Sequence, residues 1–194
     1  MKRISAVLMV AFVATLMSFT AKDSGYKIDT QKSKITWLGK KVTGQHTGTI
    51  ALAEGTFTGK GKKITAGSFA IDMTSLKDDE SNTRLEGHLK SDDFFSSEKF
   101  PKATFVTSTI ESKGGDQYLV KGNLTIKGIT NQIEFPATIT VADNQISAKA
   151  KIVVDRTKFD IKFRSGNFFQ NLGDKAIEDN FELNVDLIGN QAAI

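Results

Sequence analysis

Apolar and polar residues alternate with a period of two along most of the chain, the mark of strands that bury one face and wet the other. The clearest stretch sets Tyr118, Val120, Leu124 and Ile126 against Leu119, Lys121, Asn123, Thr125 and Lys127, with Gly122 interrupting the buried series. Ile133, Phe135, Ala137, Ile139 and Val141 then alternate with Glu134, Pro136, Thr138 and Thr140, and Asp143-Asn144 offers a hairpin turn. In the return strand Ile146, Ala148, Ala150, Ile152 and Val154 face one way, and Ser147, Lys149 and Lys151 the other. Phe181, Leu183, Val185 and Leu187 repeat the scheme near the end. Ile35 with Trp37, Ile50 with Leu52, and Phe69 with Ile71 and Met73 mark earlier strands, in stretches such as 48–53 and 67–73, and 103–112 adds another.

Gly59-Lys60-Gly61, Gly114-Gly115-Asp116 and Asp143-Asn144 separate these runs with residues that accept positive φ. About eight strands joined by such turns predict an antiparallel sandwich or barrel. Two stretches break the alternation. Residues 81–91 predict a short helix capped by Ser81 or Asn82, and residues 168–180 a second helical or irregular excursion. With 194 residues, no internal repeat and no linker, one domain over 22–194 is expected.

The polar face of each strand carries Lys, Thr, Glu and Asn, which lipid tails would not tolerate. The apolar face therefore turns inward, and no stable membrane insertion is expected. Residues 1–21 read as a cleavable signal peptide: Lys2-Arg3 is positive, Ile4 to Met17 is almost wholly apolar, and Ser18-Phe19-Thr20-Ala21 supplies small residues for cleavage. A periplasmic or secreted location follows as an expectation. The chain has no cysteine, which excludes disulfides, thiol nucleophiles and lipid attachment through cysteine at the cleavage site. Loss of Lys2 and Arg3 from 26 basic residues leaves 24 against 22 acidic ones, too balanced and too interspersed for a nucleic-acid face.

An eight-stranded barrel is either just filled by its own side chains or holds one small ligand. Gly122, Ala137, Ala148 and Ala150 could leave room beside Trp37, Phe69, Phe135 and Phe181, or could simply interdigitate with them. Pattern alone leaves both arrangements open. With 14 Phe against one Trp and two Tyr, a lined lumen would suit a ligand that is mainly hydrocarbon.

The run His88-Leu89-Lys90-Ser91-Asp92-Asp93-Phe94-Phe95, followed by Phe100-Pro101-Lys102-Ala103-Thr104-Phe105, resembles the hallmark of the YceI-like family of lipid- or polyisoprenoid-binding proteins. Gly44-Gln45-His46-Thr47-Gly48, the segment Gly122 to Thr130, and Asp155-Arg156-Thr157-Lys158-Phe159 extend the resemblance over nearly the whole expected domain. It implies an all-β fold: an eight-stranded antiparallel lipocalin-like barrel, exported, enclosing a long-chain apolar lipid such as a polyisoprenoid or fatty acyl chain. Lys32 before Ser33, Lys127 and Asp160 depart from the family, which often has histidine at the first two positions and glycine at the third.

The barrel lining is then expected from Trp37, Phe69, Ile71, Val120, Leu124, Ile126, Phe135, Ile139, Ala148, Ala150, Ile152, Phe181 and Leu183. His88, Phe94, Phe95, Arg156, Phe168 and Phe169 are candidates for a lid or mouth. His88 would pin the helical segment over one barrel end, and Arg156 would meet either an anionic head group or a structural ion pair. No cofactor and no metal are expected, because the two histidines, His46 and His88, would need partners such as Glu86 or Asp92 that no spacing enforces. Asp78-Asp79-Glu80 and Asp92-Asp93 read as solvated loop or capping carboxylates. Ser68 lacks the second glycine of a nucleophile elbow, and Gly59-x-Gly61 precedes no helix, so catalysis is not expected. The competing expectation is an exported stress or interaction protein with a packed barrel, binding a protein or glycan through its loops.

Overall fold

A computed structural model describes residues 23–61 and 63–192, so the expected signal peptide lies outside the described residues. The described residues form nine strands: β1 (Asp23–Ile28), β2 (Lys34–Lys41), β3 (Gly44–Lys60), β4 (Lys63–Asp78), β5 (Lys102–Gly114), β6 (Gln117–Ile126), β7 (Ile129–Ala142), β8 (Gln145–Asp155) and β9 (Ile177–Gln191). One helix, α1 (Thr83–Lys90), follows β4. The strands run β1-β3-β2-β9-β8-β7-β6-β5-β4, and β3 pairs with β4 to close the ring.

Nine strands make an eight-position barrel because β1 and β2 share one position. Tyr26 to Ile28 pair with Gln191 to Gly189 of β9, and Lys34 to Lys41 pair further along the same strand, from Asp186 to Ile177. Both also pair with β3, β1 through residues 56–60 and β2 through residues 44–50. Between them Asp29 turns the chain out of the sheet by accepting the Gln31 and Lys32 amides on Oδ1. Ser33 returns it, its hydroxyl accepting the Ile188 amide at 3.1 Å.

β3 and β4 are far longer than the segments expected from alternation. Their ladder shifts register between Thr49 and Ala51, Leu52 and Glu54, and Thr58 and Gly59. The first puts three extra residues into β4 and the other two put one each into β3 and β4, and each breaks the period-two signal. At the first, Asp72 turns residues 73–75 through its carboxylate, and Ser75 Oγ accepts the Ala51 amide at 2.8 Å.

Asn82 is the cap of α1, its Oδ1 accepting the Leu85 amide. The second excursion is shifted from the expected 168–180. After the single-turn helix Arg156–Phe159 the chain is irregular apart from a turn at Gly173–Lys175, and Ile177 to Asn180 already belong to β9. Asp160 takes the left-handed conformation at φ 57°. The outer faces carry cross-strand ion pairs, including Lys121–Glu134 at 2.6 Å and Lys149–Asp186 at 3.1 Å. Among the described residues, no helix is long and apolar enough to cross a membrane.

Candidate functional site

The two ends of the barrel differ. At the end holding β1, Tyr26, Ile28, Ile64, Ile110, Tyr118 and Ile146 are all buried and pack against one another in the core. Toward the α1 end the core opens into an apolar cavity of about 380 Å³. The interior is thus packed at one end and hollow at the other, which resolves the two arrangements left open by pattern.

A row of rings borders the packed half. Phe57 and Phe69 meet edge to face with centroids 5.0 Å apart, Phe69 stacks on Phe105 at 6.5 Å, and Phe105 meets Phe135 at 5.4 Å. Trp37, Ile71, Val120, Leu124, Ile126, Ile139, Ala148, Ala150, Ile152, Phe181 and Leu183 also border the cavity. Ala137 and Ala150 stand opposite each other across β7 and β8, and with Ala148 they line the cavity with methyl groups only. Gly122 shows the other arrangement that pattern left open, a small residue interdigitating with a large one. A Cβ there would lie 2.5 Å from the Phe105 ring, so the space beside Gly122 is filled by that ring and is not part of the cavity.

Apart from Thr107 and Lys149, the polar residues bordering the cavity gather at the α1 end: Lys40, Lys41, His46, His88, Arg156, Arg164, Glu178 and Asn180. Phe94 and Phe95 also border it there, because the turn after α1 folds back through hydrogen bonds from the Phe94 amide to Ser91 and the Phe95 amide to Leu89. Phe95 meets Phe181 of β9 edge to face at 6.1 Å. His88 sits edge to face against Phe94 and Phe163, and its Nε2 is 3.1 Å from Asp93 Oδ2. Its polar bond therefore holds the turn after α1, and its ring faces Phe163 of the opposite segment. Lys127 adds a link by donating to the Asp92 carbonyl at 3.4 Å.

Arg156 borders the cavity but is committed to the protein. Its Nε donates to the Glu178 carbonyl at 3.0 Å, Nη1 to Ile161 at 2.8 Å, and Nη2 to Ile177 at 3.0 Å and Asp179 Oδ1 at 3.4 Å. Burial lowers its pKa from the ordinary guanidinium value, against the raising effect of Asp179 and Asp155. This is the structural pairing among the two roles expected. Lys40 is likewise paired, with Glu182 at 3.2 Å. Bonds from Lys151 and then Lys40 hold the Glu182 carboxyl below its usual range.

Phe168 and Phe169 do not reach the cavity, which corrects the expectation that they line or lid it. Both amides donate to the Ser165 carbonyl, forming a turn outside the barrel, and both side chains are half exposed. Lys162 Nζ lies 5.1 Å from the Phe168 ring centroid. The two histidines also part company: His46 neighbours Asp78, not Glu86 or Asp92, at 3.5 Å. Alternation gave no sign of this pairing, since the bulges between β3 and β4 decide it.

A closed antiparallel barrel, packed at one end and hollow and apolar at the other, defines the class of lipocalin-like barrels. The sequence profile of the YceI-like domain matches residues 26–188, and the chain belongs to that family. A UPF0312 protein of Shewanella sp. (strain W3-18-1) is 28% identical over 131 residues, 64% of this chain and 67% of its own length. Among solved structures, Burkholderia cenocepacia BcnA superposes with a TM-score of 0.63 at 21% identity, over 83% of this chain and 98% of its own. A polyisoprenoid binding domain from Saccharophagus degradans gives 0.63 at 12% identity, over 89% and 99%. The Campylobacter jejuni YceI protein gives 0.57 at 17% identity, over the whole of both chains.

Proposed function

We propose that this chain is an exported carrier or store for an elongated apolar lipid, a polyisoprenoid or fatty acyl chain, held in the barrel without catalysis. The observation that carries the reading is the apolar cavity under α1, bordered by rings and by the methyls of Ala137, Ala148 and Ala150, with polar groups gathered at one end. Such a lining offers a hydrocarbon chain dispersion contacts and few hydrogen bonds, so it favours a ligand whose polar part is small and terminal. Membership of the YceI-like family supports it, as does the fold shared with a domain described as polyisoprenoid binding. Export is part of the proposal, with residues 1–21 as the cleaved signal.

Native mass spectrometry of protein purified without detergent, followed by organic extraction, tests this directly. A stoichiometric adduct that extracts as a long-chain lipid is the expected result. Protein that stays bare after incubation with polyprenols and with fatty acids would overturn it and favour binding of a protein or glycan through the loops.

A further inference from the structure

The β3–β4 ladder sets Gly48 opposite Asp78. His46 lies two residues before that pair on β3, and Glu80 two residues after it in the turn that leaves β4. One ligand atom from each of His46, Asp78 and Glu80 falls within 4.8 Å of the others. From this convergence we propose a binding site for a divalent transition-metal ion of the zinc type, at the α1 end of the barrel.

Asp78 supplies the observation that distinguishes the group from a chance cluster. Its side chain is only 1% exposed, and its Oδ1 is buried without a hydrogen-bond partner, as is His46 Nδ1. The other oxygen, Oδ2, accepts the amides of Glu80 at 3.1 Å and Asn82 at 3.2 Å. These two bonds fix the carboxylate with Oδ1 toward the imidazole. A buried carboxylate oxygen left without a donor is costly, so the arrangement calls for a positive partner.

A shared proton does not fit the spacing well. His46 Nδ1 and Asp78 Oδ1 are 3.5 Å apart, beyond the roughly 2.7–3.2 Å of a good hydrogen bond. Two ligand atoms each about 2.0–2.1 Å from a tetrahedral ion stand about 3.3 Å apart, close to what is seen. One imidazole and two carboxylates suit zinc by ligand type and give it two compensating charges. The amides on Asp78 Oδ2 are the outer hydrogen bonds that hold a ligating carboxylate in place. His46 borders the cavity and Glu80 is exposed, so a fourth position remains for water or for a ligand's polar end. The site stands whether or not the barrel carries a lipid.

The test is isothermal titration of chelator-treated protein with zinc chloride, repeated with cobalt(II) to record the visible absorption of a tetrahedral site. The expected result is saturable binding at one site, weakened more than about tenfold in His46→Ala and in Asp78→Asn. Glu80→Gln changes an exposed side chain, so it keeps the test valid if Asp78→Asn fails to fold. Zinc that does not bind, or binds equally well to His46→Ala and Glu80→Gln, would overturn the proposal.

Discussion

The Trp37 indole lies directly across Gly48, its partner on β3, and donates its Nε1 hydrogen to the Lys77 carbonyl of β4 at 3.1 Å. Three strands are thus joined by one ring over a residue without a side chain. A Cβ on Gly48 would stand 2.5 Å from the indole and 1.9 Å from the Lys77 carbonyl oxygen. Neither backbone nor ring can yield cheaply there. Gly48→Ala is expected to destabilise by roughly 2 kcal/mol or more through forced repacking. Gly87→Ala in α1, where nothing lies within 4 Å, is the control and should be neutral or stabilising by up to about 1 kcal/mol. Thermal melts of the two variants decide it.

Ala150 borders the cavity opposite Ala137 and beside Val185 of β9. Ala150→Trp puts an indole where the proposed ligand lies. Because the added volume enters a space and not a packed core, the fold should survive with only a small loss of stability. Lipid occupancy measured by native mass spectrometry should fall at least about tenfold, and unchanged occupancy would count against the cavity as the binding site.

Arg156 donates to three backbone carbonyls, those of Glu178, Ile161 and Ile177. Arg156→Met removes all three bonds, the one to Ile161 buried, together with the Asp179 pair, and is expected to cost about 2–5 kcal/mol. Lysine cannot reproduce the planar fork, so Arg156→Lys should rescue little. Denaturant unfolding of lipid-free protein checks this. A head-group role would instead leave the lipid-free stability near the wild-type value.

Phe168→Ser with Phe169→Ser should change stability by less than about 0.5 kcal/mol each and leave lipid occupancy as it was, since both rings are half exposed outside the barrel. Melting and native mass spectra of the double variant suffice as a check.

What could be read in advance follows from which signals are local. Alternation along β6 to β9 is uninterrupted enough to tell inside from outside, and the Asp143-Asn144 turn and the Asn82 cap are chemical features of a few adjacent residues. β3 and β4 were legible only in fragments, because their bulges reset the alternation every few residues. β1 was missed because it shares a ring position with β2, a fact of pairing and not of pattern. Gly122 and Ala150 are both small inward residues, yet one is covered by Phe105 and the other opens on the cavity. Likewise His46 and Asp78 are 32 residues apart, and only the register of the β3–β4 ladder brings them together.

Glu86 is buried, and it joins α1 to the end of β4. Its Oε1 accepts the Asp78 amide at 3.1 Å, and its Oε2 accepts from Lys77 Nζ at 3.0 Å. The Asp78 amide first, and the Lys77 ammonium second, hold its carboxyl below the usual glutamate range. A carboxylate whose folded pKa is depressed binds fewer protons folded than unfolded. Its contribution is therefore complete above the unfolded value of about 4.3 and is lost as the pH falls through the lower folded value. Glu86→Gln should accordingly be less stable than wild type at neutral pH, and the gap should close as the pH is lowered below about 4. Denaturant melts of both proteins at neutral pH and in acid measure it, and a gap independent of pH would mean that the side chain holds α1 by packing and neutral hydrogen bonding alone.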